Sequence, residues 1–281
     1  MNIVREFARE VYGLWKRAGW QTCCVYLIRA TRNLPNVLRS RTLQPVDRAM
    51  GGRTYRFIVS PGKAVEIEGD HFAGAREIYC RRVYFALPGF DIGEEDVCVD
   101  VGANVGIFTL VAAVCGKKVI AIEAQSEFLP AISSNLQRNN CTNKTIVVLG
   151  LVGAKRGLFS KVSERQMASH WRDEPPLISL PDLFARLGIG RVDFLKVDIE
   201  GSEFDVFSGD LRWLEMVNRI AMEVHTNFGS VSSLSTTLRE AGFRVWLTDA
   251  RQRAVSTLKS SSGYLFARKE ASDRAGRKIL A

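Results

Sequence analysis

The sequence has no Cys-x-x-Cys pair, and its six cysteines (Cys23, Cys24, Cys80, Cys98, Cys115 and Cys141) are scattered. Its three histidines, His71, His170 and His225, stand far apart. No zinc-binding spacing therefore exists, and cysteines inside apolar runs fit a reducing, cytoplasmic setting. Uncharged apolar runs are short. The longest, Ala18–Ile28, is hemmed in by Lys16, Arg17 and Arg29, well below the ~18–20 residues of a membrane-spanning helix. Glu6 and Glu10 among the first apolar residues speak against a cleavable signal peptide. Internal repeats and long linkers are also lacking. What is present is ordinary globular composition: 281 residues, 46% hydrophobic and 25% charged. That suffices for one large α/β domain, or one plus a small appendage, and excludes a mainly disordered chain.

The net charge of +9 is unevenly placed. Residues 1–50 carry +6, residues 251–281 another +6, and the body between them is slightly acidic at −3. Basic ends can meet nucleic acid or an anionic membrane, or can be solvated faces, and the solvated reading is preferred here. Residues 1–50 predict a helical extension. Ile3, Val4, Phe7, Val11, Leu14 and Trp15 form an apolar stripe, and a second helix over Thr22–Thr31 should end before Pro35. The stripe is expected to pack on the protein's own domain or on a twin subunit in a homodimer. Peripheral membrane contact, with Tyr12, Trp20 and Tyr26 at the boundary, is the rival. Residues 51–70 predict a hairpin, Thr54–Val59 returning as Ala64–Glu68 through Pro61-Gly62-Lys63. A helix around Arg76–Tyr79 then runs to a Pro88-Gly89 break.

From there strands and helices alternate, the pattern of a parallel sheet covered on both faces. The expected strands are Val97–Val101, Val119–Glu123, Thr145–Leu149, Val192–Ile199 and Arg219–Val224. Helices are expected at Val105–Cys115, Glu127–Asn139, Pro181–Leu187 and Ser232–Glu240. A closing hairpin at Phe243–Leu247 and Gly263–Ala267 fits a methyltransferase-type sheet better than a symmetric doubly wound one. Residues 270–281 are expected to be a disordered tail.

The first strand ends in Asp100-Val101-Gly102-Ala103-Asn104-Val105-Gly106. A glycine turn between strand and helix lets backbone approach a ligand. Dinucleotide binding requires Gly-x-Gly-x-x-Gly, and here Asn104 takes the middle position and Gly106 comes one residue early. A carboxylate at Asp100 would repel pyrophosphate but suits the ammonium of a methionine tail. Glu123 ends the second strand 21 residues after Gly102, where a carboxylate accepts hydrogen bonds from both ribose hydroxyls. S-adenosylmethionine is thus the expected cofactor.

The fourth strand continues Leu195-Lys196-Val197-Asp198-Ile199-Glu200-Gly201-Ser202-Glu203, and the fifth ends Glu223-Val224-His225. Alternation puts Lys196 and Asp198 on one face and Glu223 and His225 on one face. A lysine inside a strand is costly unless paired, and Asp198 is the candidate partner. If the strands are neighbours, the four side chains gather at the carboxyl edge, as a site or as a structural ion-pair network.

Arg76-Glu77-Ile78-Tyr79, the Val99–Gly106 string, the Leu195–Glu203 string and Glu223-Val224-His225 together resemble the FkbM family of S-adenosylmethionine-dependent methyltransferases, over roughly Phe72 to Phe266. The resemblance implies an α/β class I methyltransferase (Rossmann-like) fold in residues 71–269. It also implies O-methylation of a hydroxyl on a sugar, polyketide, lipid or other secondary metabolite. By it, Asp100, Gly102, Ala103, Asn104, Gly106 and Glu123 are the cofactor residues, with Asp198 and Glu200 beside the methyl group. Residues 1–50 and Ser160–Pro176, with its His170-Trp171 pair, match nothing recognised, and acceptor choice can lie there.

A sugar or aliphatic hydroxyl needs a base as the new bond forms. His225 is the first candidate, by its ordinary pKa of about 6.5, and Asp198 the second. Lys196 and Glu223 complete the expected catalytic set, and no metal is included. Ribose 2′-hydroxyl methylation of RNA is the alternative acceptor chemistry. Base-amine and cytosine-C5 methylation are disfavoured, because the fourth strand is followed by neither Pro-Pro-aromatic nor cysteine. A non-catalytic binding module that retains the fold is the third reading.

Overall fold

A computed structural model describes residues 3–153 and 175–270, with side chains from Phe7 onward. The expectations for Ile3 and Val4 side chains, for the His170-Trp171 pair and for the tail beyond Glu270 lie outside these residues.

The N-terminal part is helical: α1 (Ile3–Arg32), α2 (Leu34–Ser40) and α3 (Gln44–Arg48). Gly19 breaks α1 into two runs with φ 78° and ψ 170°, a conformation that glycine adopts without steric penalty. The second run ends at Arg32, before Pro35 as expected, and Pro35 then belongs to the next helix. It sits in the first turn of α2, where its missing N–H has no intrahelical partner to lose. The hairpin follows as β1 (Thr54–Ser60) and β2 (Lys63–Glu68), and then α4 (Phe72–Ala75) widens into a π turn over Arg76–Arg81.

The sheet is made of β3 (Val97–Val101), β4 (Lys118–Glu123), β5 (Thr145–Leu149), β6 (Phe194–Val197), β7 (Arg219–His225), β8 (Phe243–Thr248), β9 (Ala254–Val255) and β10 (Ser262–Lys269). Its order is β5-β4-β3-β6-β7-β10-β8-β9. The first five are parallel, and β10 inserts antiparallel between β7 and β8. This is the class I methyltransferase arrangement. Among the described residues, the α-helices of this part are α5 (Ile107–Cys115), α6 (Leu129–Arg138), α7 (Leu180–Arg186), α8 (Glu203–Val206) and α9 (Val231–Glu240).

Near-continuous apolar runs such as Val-Ile-Ala-Ile in β4 are what a strand covered on both faces requires. Alternation splits them between two cores. Cys98, Phe194 and Phe266 face α5 and the N-terminal elements, while Val99, Leu195 and Leu265 face α7 and α9. The extension and hairpin share the first core, where Phe72 stacks on Tyr26 at 5.7 Å and meets Tyr55 and Phe57. Arg76 fastens them from beneath, pairing with Glu10 at 2.7 Å and with Asp47 at 2.8 Å. Leu14 and Tyr26 are fully buried, so α1 does pack on its own domain, yet Trp15 of the expected apolar stripe is 58% exposed.

Two boundaries move for reasons that matter to the site. The helix after β3 starts at Ile107, because Gly106 still belongs to the turn at φ 85°. The expected strand Val192–Ile199 shrinks to Phe194–Val197, and beyond it the chain turns through Glu200 at φ 54° and Gly201 at φ 107°.

Candidate active site

The turn after β3 passes through the left-handed region at Gly102, Asn104 and Gly106. At Gly102 the requirement is absolute, since a Cβ there would lie 1.8 Å from the Asp198 carbonyl oxygen. Gly102 and Ala103 donate their N–H groups to the Ile122 carbonyl at 2.9 and 3.0 Å. The Asp198 N–H donates to the Val101 carbonyl at 3.0 Å. The turn is thereby wedged between the ends of β4 and β6.

Lys196 holds it from below. Its Nζ pairs with Asp100 at 3.0 Å and donates to the Gly102 carbonyl at 2.6 Å. The second Asp100 oxygen accepts from Thr109 Oγ1 at 2.6 Å. Asp100 is fully buried and Lys196 nearly so. Burial pushes the Asp100 carboxyl up from its ordinary range, against the pull of Lys196. Burial opposes the Lys196 charge, and Asp100, with Asp198 and Glu123, more than restores it. This corrects one expectation. The partner of Lys196 is Asp100 rather than Asp198, because β3 and β6 pair with Asp100 beside Lys196. Asp100 and Lys196 therefore satisfy each other beneath the turn.

Glu123 ends β4 nearly buried, its Oε2 accepting from the Asn104 N–H at 2.6 Å and its Oε1 from the Gln125 N–H at 2.8 Å. Burial raises its pKa, with those backbone donors acting the other way. A carboxylate offers about four lone-pair sites, so acceptor capacity remains for a vicinal diol.

The ends of β6 and β7 carry the other half. Asp198 accepts from the Tyr84 hydroxyl at 2.8 Å, and Tyr84 also lies over Lys196. Glu203, fully buried, accepts the Gly201 N–H at 3.1 Å and meets His225 Nδ1 at 2.9 Å. Glu200 lies 3.3 Å from His225 Nε2. The ring is thus bracketed by carboxylates at both nitrogens. Burial works against its charge, but Glu203, Glu200 and Glu223 outweigh it and raise its pKa to about 9. That direction favours the protonated ring and disfavours His225 as a resting base.

Glu223 shows the opposite balance. Burial first, then the charge of Asp198, raises its pKa to about 7, against the attraction of His225. It stands opposite Tyr264 in the β7–β10 ladder, and the Tyr264 hydroxyl reaches Glu77 at 3.4 Å. Asp198, Glu223 and His225 therefore do converge at the carboxyl edge, with Glu200 joining because the strand ends early. Asp198, Glu203 and His225 each bring a donor atom within 4.8 Å of the others, the set best placed among the described residues to hold a cation. The sequence marked no role for Glu203, Glu77, Tyr84 or Tyr264. Glu203 and Glu77 lie inside recognisable strings, whereas the two tyrosines sit in apolar runs that give no signal.

Residues 100–245 match the family model described as the methyltransferase FkbM domain. The AMB antimetabolite synthetase AmbE of Pseudomonas aeruginosa is 27% identical over 223 residues, 60% of this chain and 10% of that one. This chain thus spans about a tenth of that relative's length. The 31-O-demethyl-FK506 methyltransferase FkbM of Streptomyces tacrolimicus is 26% identical over 211 residues, covering 60% of this chain and 80% of its own. An rRNA methylase structure from Streptococcus thermophilus aligns at 13% identity and a TM-score of 0.42, over 68% of this chain and 95% of that one. At that score it carries no weight on acceptor or mechanism.

Proposed function

The chain belongs to the FkbM methyltransferase family, and we propose that it transfers a methyl group from S-adenosylmethionine to a hydroxyl oxygen of a small-molecule acceptor. The observation that carries the acceptor chemistry is Glu223, a carboxylate raised to about 7 at the carboxyl edge of the sheet. A base acts best when its pKa lies near the working pH. The relative named as a 31-O-demethyl-FK506 methyltransferase supports the same direction.

Bound there, S-adenosylmethionine supplies an electrophilic methyl group. Glu123 would take its ribose hydroxyls, and the Gly102-Ala103-Asn104 backbone with Gly106 would lie along its tail. Toward the acceptor, Glu223 receives the hydroxyl proton as the new bond forms. His225, held as a cation by Glu203 and Glu200, offsets the charge that Glu223 and Asp198 carry together. Tyr84 fixes the Asp198 carboxylate, leaving its other oxygen to orient the acceptor. Alignment of the reacting atoms and exclusion of water supply the rest.

The test is methyl transfer from isotopically labelled S-adenosylmethionine to pooled hydroxylated metabolites and, separately, to RNA. Label in the metabolite fraction as a methyl ether is the expected result. Label in RNA alone would replace the acceptor class, and no donor binding by calorimetry would overturn the catalytic reading.

A further inference from the structure

The packed face of α1 leaves the opposite face uncovered. Tyr12 and Trp15 are each 58% exposed and Trp20 is 66% exposed, and the Tyr12 and Trp15 rings touch at 5.9 Å. Beyond the Gly19 break, Leu27 and Ile28 of α1 and Leu34 and Leu38 of α2 are also exposed. Lone exposed apolar residues are unremarked on any surface, but three aromatic rings and four aliphatic side chains on two consecutive helices are an unusual concentration.

The charges of this region have been sorted. Of the three acids in residues 1–50, Glu10 and Asp47 are turned inward onto Arg76. Lys16, Arg32, Arg39 and Arg41 remain exposed. Outward-facing aromatic and aliphatic groups flanked by cations are what an interfacial helix needs. A second copy of the same face would bring like charge against like charge. Leu27, Ile28, Leu34 and Leu38 offer nothing to a phosphate backbone.

We infer that the outer face of α1 and α2 docks this protein on an anionic lipid bilayer. The start of α1 lies next to the acceptor edge of the sheet. Arg9 of α1 donates to the Arg251 carbonyl at 3.1 Å, and Arg81 donates to the Ala250 carbonyl at 2.7 Å. That loop follows Thr248, which pairs with Tyr264, the neighbour of Glu223. Docking would present the rim of the site to the membrane surface. It does not rest on the identity of the acceptor.

The experiment is flotation of the full chain with vesicles of equal parts phosphatidylcholine and phosphatidylglycerol, against phosphatidylcholine alone. Binding to the anionic vesicles, weakened by salt, is expected. A Tyr12→Ser/Trp15→Ser/Trp20→Ser variant should lose at least about tenfold in partitioning. A Lys16→Gln/Arg32→Gln/Arg39→Gln variant, which leaves the apolar face intact, should lose about fivefold per charge removed. Melting temperature confirms that both variants are folded. Failure of the parent to float, or partitioning unchanged in both variants, would overturn the inference. So would a face consumed by dimerisation in sedimentation, or by RNA in a binding titration, without any vesicle binding.

Discussion

The two halves of the sheet's carboxyl edge are built on opposite electrostatic principles. On the β3–β4 side the charged groups are matched: Asp100 has Lys196 and Thr109, and Glu123 has two backbone N–H groups. On the β6–β7 side they are not. Asp198, Glu200, Glu203 and Glu223 surround one imidazole, and burial, with the charge of Asp198, raises Glu223 to about 7. The matched half is a frame whose loss should damage the fold. The mismatched half holds a charge imbalance that the fold tolerates and that proton transfer can use.

Four experiments probe this contrast. The largest effect is expected from Glu223→Gln, which should lower turnover by ~10²–10⁴, the range for a lost base, while donor affinity by calorimetry stays near wild type. Lys196→Met acts on the frame instead. Stranding the buried Asp100 charge should cost about 3–5 kcal/mol in urea unfolding, and adding Asp100→Asn should recover part of that loss. Glu123→Ala should weaken S-adenosylmethionine binding by about 1.5–3 kcal/mol, the scale of hydrogen bonds to a charged group, and should also lower stability by about 1–3 kcal/mol, because the Asn104 and Gln125 N–H groups lose their acceptor.

The smallest effect is on the unliganded protein's pH dependence. The raised His225 pKa stabilises fully below 6.5, and that contribution is lost as pH rises through about 9. The raised Glu223 pKa stabilises below 4.5 and is lost as pH rises through about 7. Stability should therefore fall with rising pH across both windows, by on the order of 1–2 kcal/mol once solvent screening is allowed for. Melting curves should show that slope, and it should flatten in His225→Gln.

The cofactor side was the more legible in sequence, because its determinants are local. The glycines must follow a strand directly, and Glu123 lies at a fixed distance from them. Pairing across strands was not legible: period two placed Lys196 and Asp198 on one face, but only the β3–β6 register shows that Asp100 stands closer. His225 was found, but the carboxylates that raise its pKa were not, because the ring's ordinary pKa says nothing of Glu203 folding back from the next turn. Tyr84 and Tyr264 escaped notice, since a hydroxyl aimed at a carboxylate looks the same in sequence as any aromatic in a core. The order of strands and helices followed from the apolar runs, but the insertion of β10 between β7 and β8, the short helices α2, α3 and α8, and the two-residue β9 did not.

The central claim is that Glu223, and not His225, takes the acceptor proton. The most direct measurement is the pH dependence of kcat/KM at saturating S-adenosylmethionine in wild type, Glu223→Gln and His225→Gln. The wild-type rate should rise through an apparent pKa near 7, and that limb should survive in His225→Gln and vanish in Glu223→Gln. A limb that survives in Glu223→Gln and disappears in His225→Gln would contradict the account and return the base to the imidazole.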